Sequence, residues 1–333
     1  MPPSISILGA GSWGTALAIQ AARNGCATSL WGHNPQHIAA LQRARENYRY
    51  LPGAQFPTNL ELTGDIGKAV AFSPLLLISV PSHAFRDTLA SIKPLLAEKP
   101  MIAWATKGFD GRDGALLSRV VAEILGEDIE TAALSGPTFA GEVAADLPTA
   151  VTVASASDAF SSRLSAILHN QRFRVYTSRD IIGVQVGGAC KNVLAIAAGI
   201  ADGLGFGANT RAALITRGLT EIMRLGIRLG GQADTFMGLA GLGDLILTCT
   251  DDQSRNRRFG LALGRGLGQT QALAQINQEV EGISAARETF GLSQKYGVEM
   301  PITEQVYNVL FENLPPKQAV QNLLNRDQKP EQA

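Results

Sequence analysis

The amino-acid sequence predicts an α/β protein in which an N-terminal doubly wound parallel sheet domain is followed by an all-α domain. Short apolar strand patterns alternate with helical patterns over residues 4–155, as in parallel sheets that carry helices on both faces. Long alanine- and leucine-rich segments begin near residue 181. The chain of 333 residues is also longer than most single cores. We therefore predict two domains, at residues 1–180 and 181–333.

The first half opens with a βαβ unit. Residues 4–10 are an apolar run typical of a buried strand, residues 15–25 have helical periodicity and end at glycine, and residues 27–33 form a second apolar run. Further patterns predict strands at 75–80, 101–106, 131–136 and 150–155, and helices at 85–97 and 115–125.

The second half has the sequence pattern of an α-helical domain. Its segments are rich in alanine and leucine and have helical periodicity rather than strand alternation. The predicted helices cover residues 181–201, 209–230, 234–249, 255–264, 270–276, 282–297 and 302–312. We place the join between the two domains near residues 174–180.

The composition favours a small-molecule partner and a reducing compartment. Charged residues make up 17% of the chain and the formal net charge is +0, which argues against a nucleic-acid-binding protein. The three cysteines lack the spacing of a disulfide framework or a zinc site. The N-terminus has no secretory signal pattern, and the apolar stretch at 193–201 is too short to span a membrane. We expect a soluble cytoplasmic protein without metal, nucleic acid or membrane insertion.

A glycine loop lies where the first predicted strand turns into the first helix. Its sequence, GAGSWG at residues 9–14, matches the Rossmann-type dinucleotide pattern in the required strand-to-helix context. Gly9 allows the tight turn, Gly11 lets a pyrophosphate approach the backbone, and Gly14 lets the helix pack on the strand. The loop predicts a bound NAD or NADP, and the alternative is a tight turn without a ligand.

The end of the second predicted strand lacks the acidic residue typical of NAD selectivity. An Asp or Glu about 20 residues beyond the first strand would bind the ribose 2′-hydroxyl, but this chain has Gly32-His33-Asn34 there. Because no carboxylate repels a 2′-phosphate, we expect NADPH to be accepted, with His33 near that phosphate or the adenine. The alternative is a histidine that caps the strand end.

Lys191 is the only lysine between Lys107 and Lys295, and it lies in a run of glycine, alanine and aliphatic residues. A buried, unpaired ammonium is costly, so such a lysine shifts its pKa or pairs with a carboxylate or ligand. Gly187, one helical turn earlier, leaves space beside it. The pattern favours a functional lysine, and the alternative is a lysine that extends from an interdomain helix to water.

A later segment supplies an acid, a hydroxyl and cationic donors. Asp244 and Thr248 are four residues apart, on one face of a helix, and SRNRR follows at residues 254–258. Arg255 offers a planar fork suited to phosphate, although a run of arginines is also typical of a solvated surface patch.

Two predicted strand ends carry further candidates. The segment SGPTFAGE at residues 135–142 and the lysine Lys107 each follow a strand. Ligands bind at the carboxyl edge of doubly wound sheets, so we expect both near the site.

Together these motifs resemble bacterial NAD(P)-dependent glycerol-3-phosphate dehydrogenases. The resemblance covers nearly the whole chain and rests on GAGSWGTALA, VPSH, WATKG, SGPTFAGE, GGACKNVLAIAAGIADGLGFGANTRAALITRGL and GLAGLGDLILTCTDDQSRNRRFG. It implies the reversible reduction of dihydroxyacetone phosphate to sn-glycerol 3-phosphate with NADPH or NADH, which supplies the glycerol phosphate backbone of phospholipids.

The resemblance also implies a role for each matching residue. Lys191 would be the acid/base, Asp244 would hold it, and Asn192 and Thr248 would orient the hydroxyls. Cofactor contacts are implied for Ser12, Trp13, His33, Lys107, Ala140, Arg255 and Glu281. Substrate contacts are implied for Lys107, Gly136, Thr138, Lys191, Asp244, Ser254, Arg255 and Asn256.

The chain departs from the family pattern at two positions. Glu279 stands where the family often has valine, which leaves the nearby nicotinamide contact open, and Cys190 replaces another small or branched residue. Two alternative functions stay open: a 3-hydroxyacid dehydrogenase of related architecture, and a non-catalytic NAD(P)H sensor. The apolar helices of the second half favour a homodimer.

Overall fold

The computed structural model describes residues 3–97 and 99–327 and contains an eight-stranded sheet followed by helices. The strands are β1 Ser4–Leu8, β2 Ala27–Trp31, β3 Glu46–Asn47, β4 Leu51–Gln55, β5 Leu60–Thr63, β6 Leu75–Ile78, β7 Met101–Trp104, β8 Glu130–Ser135, β9 Thr149–Ser155 and β10 Phe173–Ser178. The sheet order is β10-β9-β8-β7-β6-β1-β2-β5, and β3 pairs with β4 outside it. The predicted fold class is confirmed.

The helices of the first half pack on both faces of this sheet. They are α1 Ser12–Arg23, α2 Pro35–Ala44, α3 Ile66–Phe72, α4 Ser82–Ile92, α5 Leu117–Leu125, α6 Ala140–Ala144 and α7 Asp158–Leu168. Within β6, Leu75 and Leu77 join one buried core, whereas Leu76 and Ile78 join another. Successive side chains of a strand point to opposite faces, so burial on both sides explains why the central strands are continuously apolar.

One pair of neighbouring strands departs from the parallel pattern, because β8 and β9 are antiparallel. The connection between them contains only the five-residue helix α6. A parallel crossover usually needs a helix that returns the chain across the sheet, and α6 is too short for that. The sheet is therefore mostly parallel rather than wholly parallel.

Several elements of the first half lie outside the predicted ones. They are β3, β4, β5, β10, α2, α3, α6 and α7. Strand β10 alternates between buried and exposed positions at the sheet edge, so it lacks the apolar run that marks the central strands. The segment at 174–180, where we place the domain join, contains most of β10, and the first long helix begins directly after it at Ile181.

The second half is helical over the residues that the structure describes. Its helices are α8 Ile181–Gly203, α9 Ala208–Arg228, α10 Ala233–Phe236, α11 Asp244–Thr250, α12 Arg255–Gly264, α13 Gln269–Ile276, α14 Glu281–Tyr296, α15 Pro301–Phe311 and α16 Pro316–Leu324. Helix α16 has no predicted counterpart. Residues 328–333, at the end of the predicted second domain, lie outside the described residues.

The single helix predicted at 234–249 is broken into two helices. A π-helical turn at Leu239–Gly243 separates α10 from α11. At Gly241 an added Cβ would lie 2.1 Å from the carbonyl oxygen of Phe236, so this close turn requires glycine. The break makes Asp244 the first residue of a new helix.

Helix α8 is the centre of the helical half. By length and composition it could cross a membrane, yet 89% of its most apolar window is buried inside the protein. It packs directly on α12, where a Cβ added at Gly199 would lie 2.1 Å from the carbonyl oxygen of Arg257 and one added at Gly260 would lie 2.1 Å from that of Ile196. Glycines therefore allow the two backbones to touch, which fixes α8 against the start of α12.

Candidate active site

A cleft of about 1040 Å³ lies between the sheet and the helical half. Its floor includes the glycine loop and the ends of β2, β6 and β7, and its opposite wall comes from α8, α11, α12 and the segment before α14. Parallel strands end at this edge, where doubly wound folds bind ligands. All the predicted site residues except Gly14, Gly136 and Asp244 line the cleft.

The glycine loop has the shape that a dinucleotide needs. Gly9 has a φ of 128°, and a Cβ there would lie 2.4 Å from the carbonyl oxygen of Ser79. A Cβ at Gly14 would lie 1.9 Å from the carbonyl oxygen of Gly9, whereas one at Gly11 would have nothing within 4 Å. Gly9 and Gly14 thus serve the turn and its packing, and Gly11 keeps open the space that a pyrophosphate would fill. The residues present fit a nicotinamide dinucleotide.

The residues at the end of the cleft beside β2 are polar or aromatic. The Ser12 hydroxyl donates to the carbonyl oxygen of Tyr50 at 2.6 Å, and the buried indole nitrogen of Trp13 has no hydrogen-bond partner in the part of the chain that the structure describes. His33 lines the cleft and is exposed. Beside it, the Asn34 side chain accepts from the His37 amide at 3.0 Å and caps α2, so its amide oxygen is engaged within the protein.

Lys191 lies in a buried hydrogen-bond network. Its ammonium forms an ion pair with the Asp244 carboxylate and donates to the Thr248 hydroxyl at 2.9 Å. The other Asp244 oxygen accepts from Lys107 at 2.7 Å. Asp244 has no exposed surface and therefore lies beneath the cleft rather than in its lining. Two lysines from the two halves of the chain thus share one buried carboxylate.

This arrangement changes the acidity of Lys191. Burial lowers the pKa of Lys191 to about 8, and the positive charge of Lys107 adds to the effect, whereas the Asp244 carboxylate opposes it. A pKa near neutrality lets one amine both accept and donate a proton. With both lysines protonated, two positive charges face one negative charge, so the site carries a net positive charge that favours an anionic ligand.

Two asparagines continue the network. Asn256 donates to the Asn192 side-chain oxygen at 3.0 Å, and the Asn256 oxygen accepts from the Gly282 amide at 2.9 Å. The Asn192 amide nitrogen is buried and has no partner among the described residues. Because a buried donor is costly to leave unpaired, it is available for a ligand in the cleft.

The SRNRR segment divides into structural and site residues. Ser254 caps α12 by accepting from the Arg257 amide at 3.2 Å. Arg257 is buried and forms ion pairs with Asp202, at 2.6 Å, and with Asp252, so it is a structural residue. Arg255, in contrast, lines the cleft at the start of the helix. This part of the sequence is therefore not simply a solvated surface patch.

Glu281 shares this end of the cleft with Arg255. Burial raises the pKa of the Glu281 carboxyl, against the opposing charges of Arg255 and Lys107.

The loop after β8 supplies the remaining predicted residues. Gly136 has a φ of 149°, and its carbonyl oxygen accepts from Lys107 at 3.2 Å and from the Thr138 hydroxyl at 3.2 Å. Gly136 thus contributes backbone below the surface, whereas Thr138 and Ala140 line the cleft.

Several cleft residues have no role assigned to them by the sequence prediction. Tyr50, Arg49, His83 and Arg258 also line the cleft. Glu279 lies there too, and its carboxylate is 3.7 Å from the His83 imidazole. His83 belongs to the VPSH motif, one of those on which the family resemblance rests. Its contact with Glu279 could not be predicted because the two residues come from different halves of the chain.

Within residues 3–97 and 99–327, no group of three or more His, Cys, Asp or Glu side chains lies close enough to hold a metal ion.

Comparisons with known proteins identify close relatives over the whole chain. Residues 4–161 match the family model for the NAD-dependent glycerol-3-phosphate dehydrogenase N-terminus, and residues 180–321 match that for its C-terminus. Glycerol-3-phosphate dehydrogenases [NAD(P)+] of Methylococcus capsulatus and Colwellia psychrerythraea are 58% and 57% identical, each over 98% of both chains.

The structural comparisons give the same relationship. The crystal structure of glycerol-3-phosphate dehydrogenase from Coxiella burnetii has a TM-score of 0.95 and 51% identity, and the match covers 98% of this chain and 99% of that one. A 3-hydroxyisobutyrate dehydrogenase from Salmonella typhimurium has a TM-score of 0.54 at 16% identity, over 93% of both chains. That second likeness extends to the fold alone.

Proposed function

Because the chain belongs to the NAD-dependent glycerol-3-phosphate dehydrogenase family, we propose that Lys191 is the proton donor and acceptor of its reaction. The protein is an NAD(P)-dependent oxidoreductase that interconverts dihydroxyacetone phosphate and sn-glycerol 3-phosphate. The observation that carries the assignment of Lys191 is its position: a buried amine in the cleft wall, paired with Asp244 and Thr248.

The nicotinamide cofactor, when bound, supplies or accepts the hydride at C2 of the substrate. Its holding residues are the glycine loop, which leaves open space at Gly11 for the pyrophosphate, and the cleft residues Ser12, Trp13 and His33. Lys107, Ala140, Arg255 and Glu281 complete the proposed cofactor contacts. The helix α1 begins at Ser12, so its free amide groups also favour the phosphates.

Proton transfer takes place on the C2 oxygen of the substrate. In reduction, the Lys191 ammonium polarises the ketone and donates a proton to the oxygen that becomes the hydroxyl. In oxidation, the neutral amine accepts that proton. Asp244 holds the amine and supports its charged form, and Thr248 and Asn192 orient the reacting group through hydrogen bonds.

The substrate phosphate binds at the start of α12 in this proposal. Ser254, Arg255 and Asn256 lie at that helix N-terminus and line the cleft, where free amide groups and the guanidinium fork both favour an anion. Gly136, Thr138 and Lys107 approach the substrate from the opposite wall. Binding energy from the phosphate then positions the reacting carbon.

The proposal also includes the domain boundary, the compartment and the oligomeric state. The domains meet at residue 180, where the chain leaves β10 and enters α8. The enzyme works in the cytoplasm and forms a homodimer through its helical half. Limited proteolysis and light scattering test the boundary and the oligomeric state.

The activity itself is tested by NADPH absorbance after dihydroxyacetone phosphate is added to the purified protein. Unphosphorylated dihydroxyacetone and NADH are used in parallel. We expect rapid NADPH oxidation with the phosphorylated substrate only, and the Lys295→Ala variant, in which an exposed lysine outside the cleft is removed, should behave as the unmodified protein. If NADPH binds but is not oxidised, the proposed assignment of the site is wrong.

A further inference from the structure

One arginine and two histidines border the end of the cleft beside β2. They are Arg49, His33 and His37, which we call the cationic rim. His33 directly follows the end of β2, and Arg49 comes from the segment between the short strands β3 and β4. The rim therefore combines two segments that are separate in the sequence, and Arg49 has no counterpart in the glycine-loop motif.

The segment that carries Arg49 is fixed to the glycine loop. The Asn47 side chain donates to the carbonyl oxygen of Ala10 at 3.1 Å and to the Thr15 hydroxyl at 2.9 Å. Three residues later, the carbonyl oxygen of Tyr50 accepts from the Ser12 hydroxyl at 2.6 Å. Arg49 thus lies between two anchor points, and its backbone has a defined position relative to the loop that holds the cofactor phosphates.

An aromatic ring orients the Arg49 side chain. The guanidinium carbon lies 5.1 Å from the centre of the Tyr50 ring, a cation–π contact that leaves the hydrogen-bond donors of the fork free. The other neighbour of the ring is His37, whose imidazole meets it edge-on at 5.3 Å. The Tyr50 ring is therefore the common support of two members of the rim.

The rim carries positive charge without an acidic partner. Across residues 3–97 and 99–327, Arg49 forms no ion pair. Burial lowers the pKa of His37, and the charges of Arg49 and His33 contribute to this lowering against a hydrogen bond to the Ala10 backbone. Arg49 is the permanent positive charge of the rim, so an anion bound beside it would be stabilised.

The position of the rim indicates which anion fits. In a dinucleotide fold the ribose 2′ position lies beside the end of the second strand, and an arginine near that point accommodates the 2′-phosphate of NADP. Here the second strand ends at Trp31, and the residues that follow offer no carboxylate to hydrogen-bond a free 2′-hydroxyl. A phosphate dianion with three acceptor oxygens is matched by a guanidinium fork.

We propose that Arg49, assisted by His33, binds the 2′-phosphate of NADPH and is the residue that makes this enzyme prefer NADPH over NADH. The inference rests on the proposed cofactor site and deepens it. His33 alone was the candidate that the sequence offered, whereas the structure assigns the principal cation to a residue 16 positions later. Arg49 has no role in the hydride and proton transfers proposed above.

The test uses binding without turnover. Isothermal titration calorimetry measures the affinity of the whole protein for adenosine 2′,5′-bisphosphate and for 5′-AMP, which differ only by the 2′-phosphate. We compare the unmodified protein with Arg49→Gln and Arg49→Lys. The matched control is Arg43→Gln, which removes an exposed arginine of α2 that does not line the cleft.

We expect Arg49→Gln to weaken binding of the bisphosphate by about 10-fold to 100-fold, because hydrogen bonds to a charged group are worth about 1.5–3 kcal/mol. Binding of 5′-AMP should not change. Arg49→Lys should retain part of the affinity, since it keeps the charge but loses the fork. The proposal is overturned if Arg49→Gln weakens the binding of both nucleotides equally or changes neither. It is also overturned if the unmodified protein binds the bisphosphate and 5′-AMP with equal affinity.

Steady-state kinetics separate this inference from the proposed function. Arg49→Gln should raise the KM for NADPH and leave the kinetics with NADH unchanged. If the bisphosphate preference depends on Arg49 but dihydroxyacetone phosphate is not reduced, the catalytic assignment fails and the inference stands. If reduction occurs with no such dependence, the inference fails and the catalytic assignment stands.

Discussion

Replacing Asp244 with asparagine should shift the pH at which the enzyme loses its reductase activity. The substitution keeps the side-chain shape but removes the one carboxylate that, within residues 3–97 and 99–327, forms an ion pair with both Lys191 and Lys107. Asp244 favours the charged form of Lys191, whereas burial and Lys107 oppose it. Without the carboxylate only the two opposing effects remain, so the pKa of Lys191 falls further.

The size of the shift follows from the geometry. An opposite charge within ion-pair distance changes a pKa by about 1–3 units, and the starting pKa of Lys191 is about 8. At about pH 7, a lysine of pKa 8 is about nine-tenths ammonium, whereas a lysine of pKa about 7 is half and one of pKa about 5 is one-hundredth ammonium. Reduction needs the ammonium form of Lys191. At about pH 7, kcat/KM of Asp244→Asn should therefore lie between about one-hundredth and about one-half of its low-pH plateau.

The assay is the pH profile of kcat/KM for dihydroxyacetone phosphate, which reports groups of the free enzyme. In the unmodified protein the activity should decline above pH about 8, and in Asp244→Asn the decline should begin at least about one unit lower. Asp234→Asn, an exposed acid of α10 outside the cleft, is the matched control. If circular dichroism shows that Asp244→Asn is folded and its kcat/KM declines at the same alkaline pH as that of the unmodified protein, the reasoning is refuted.

The remaining predictions concern the amine, the phosphate and the cofactor loop. Lys191→Ala should lower kcat by about 100-fold or more, the usual effect of losing a general acid/base, and near-normal single-turnover rates would contradict it. Arg255→Ala should raise the KM for dihydroxyacetone phosphate at least about 10-fold because a charge-assisted contact is lost. An unchanged KM would show that Arg255 does not bind the substrate phosphate. Gly11→Ala should fold normally, since an added Cβ has no atom of the described residues within 4 Å, but NADPH titration by fluorescence should show binding weakened at least about 10-fold by the methyl group in the pyrophosphate space.

Local sequence signals predicted the parts of the site that depend on backbone shape. The glycine loop was predicted because its spacing and its strand-to-helix context are both local, and the structure gives Gly9 the positive φ that its role requires. Lys191 was singled out because a lysine in an apolar helix is costly unless it is paired. In the structure, the first turn of α11 brings Asp244 and Thr248, which the sequence spacing had put on one helix face, into contact with the Lys191 ammonium.

The features that the sequence did not predict depend on contacts between distant segments. Lys107 and Lys191 are far apart in the chain, and they share one carboxylate only because the residues after β7 lie against α8 and α11. Arg257 resembled its neighbour Arg255 in the sequence, but its ion pair with Asp202 requires the packing of α12 on α8. Strand β10 escaped prediction because an edge strand is solvated and lacks a continuous apolar run.

The contact between α8 and α12 also has a consequence during biosynthesis. Helix α8 is apolar enough in composition to resemble a membrane span, and the glycine-lined surface of α12 that covers it is completed about 60 residues later. At about 5–20 residues per second, translation takes roughly 3–12 seconds to supply that cover. During this interval the face of α8 that packs on α12 has no cover, so chaperones that shield apolar segments should engage the chain between the synthesis of α8 and that of α12.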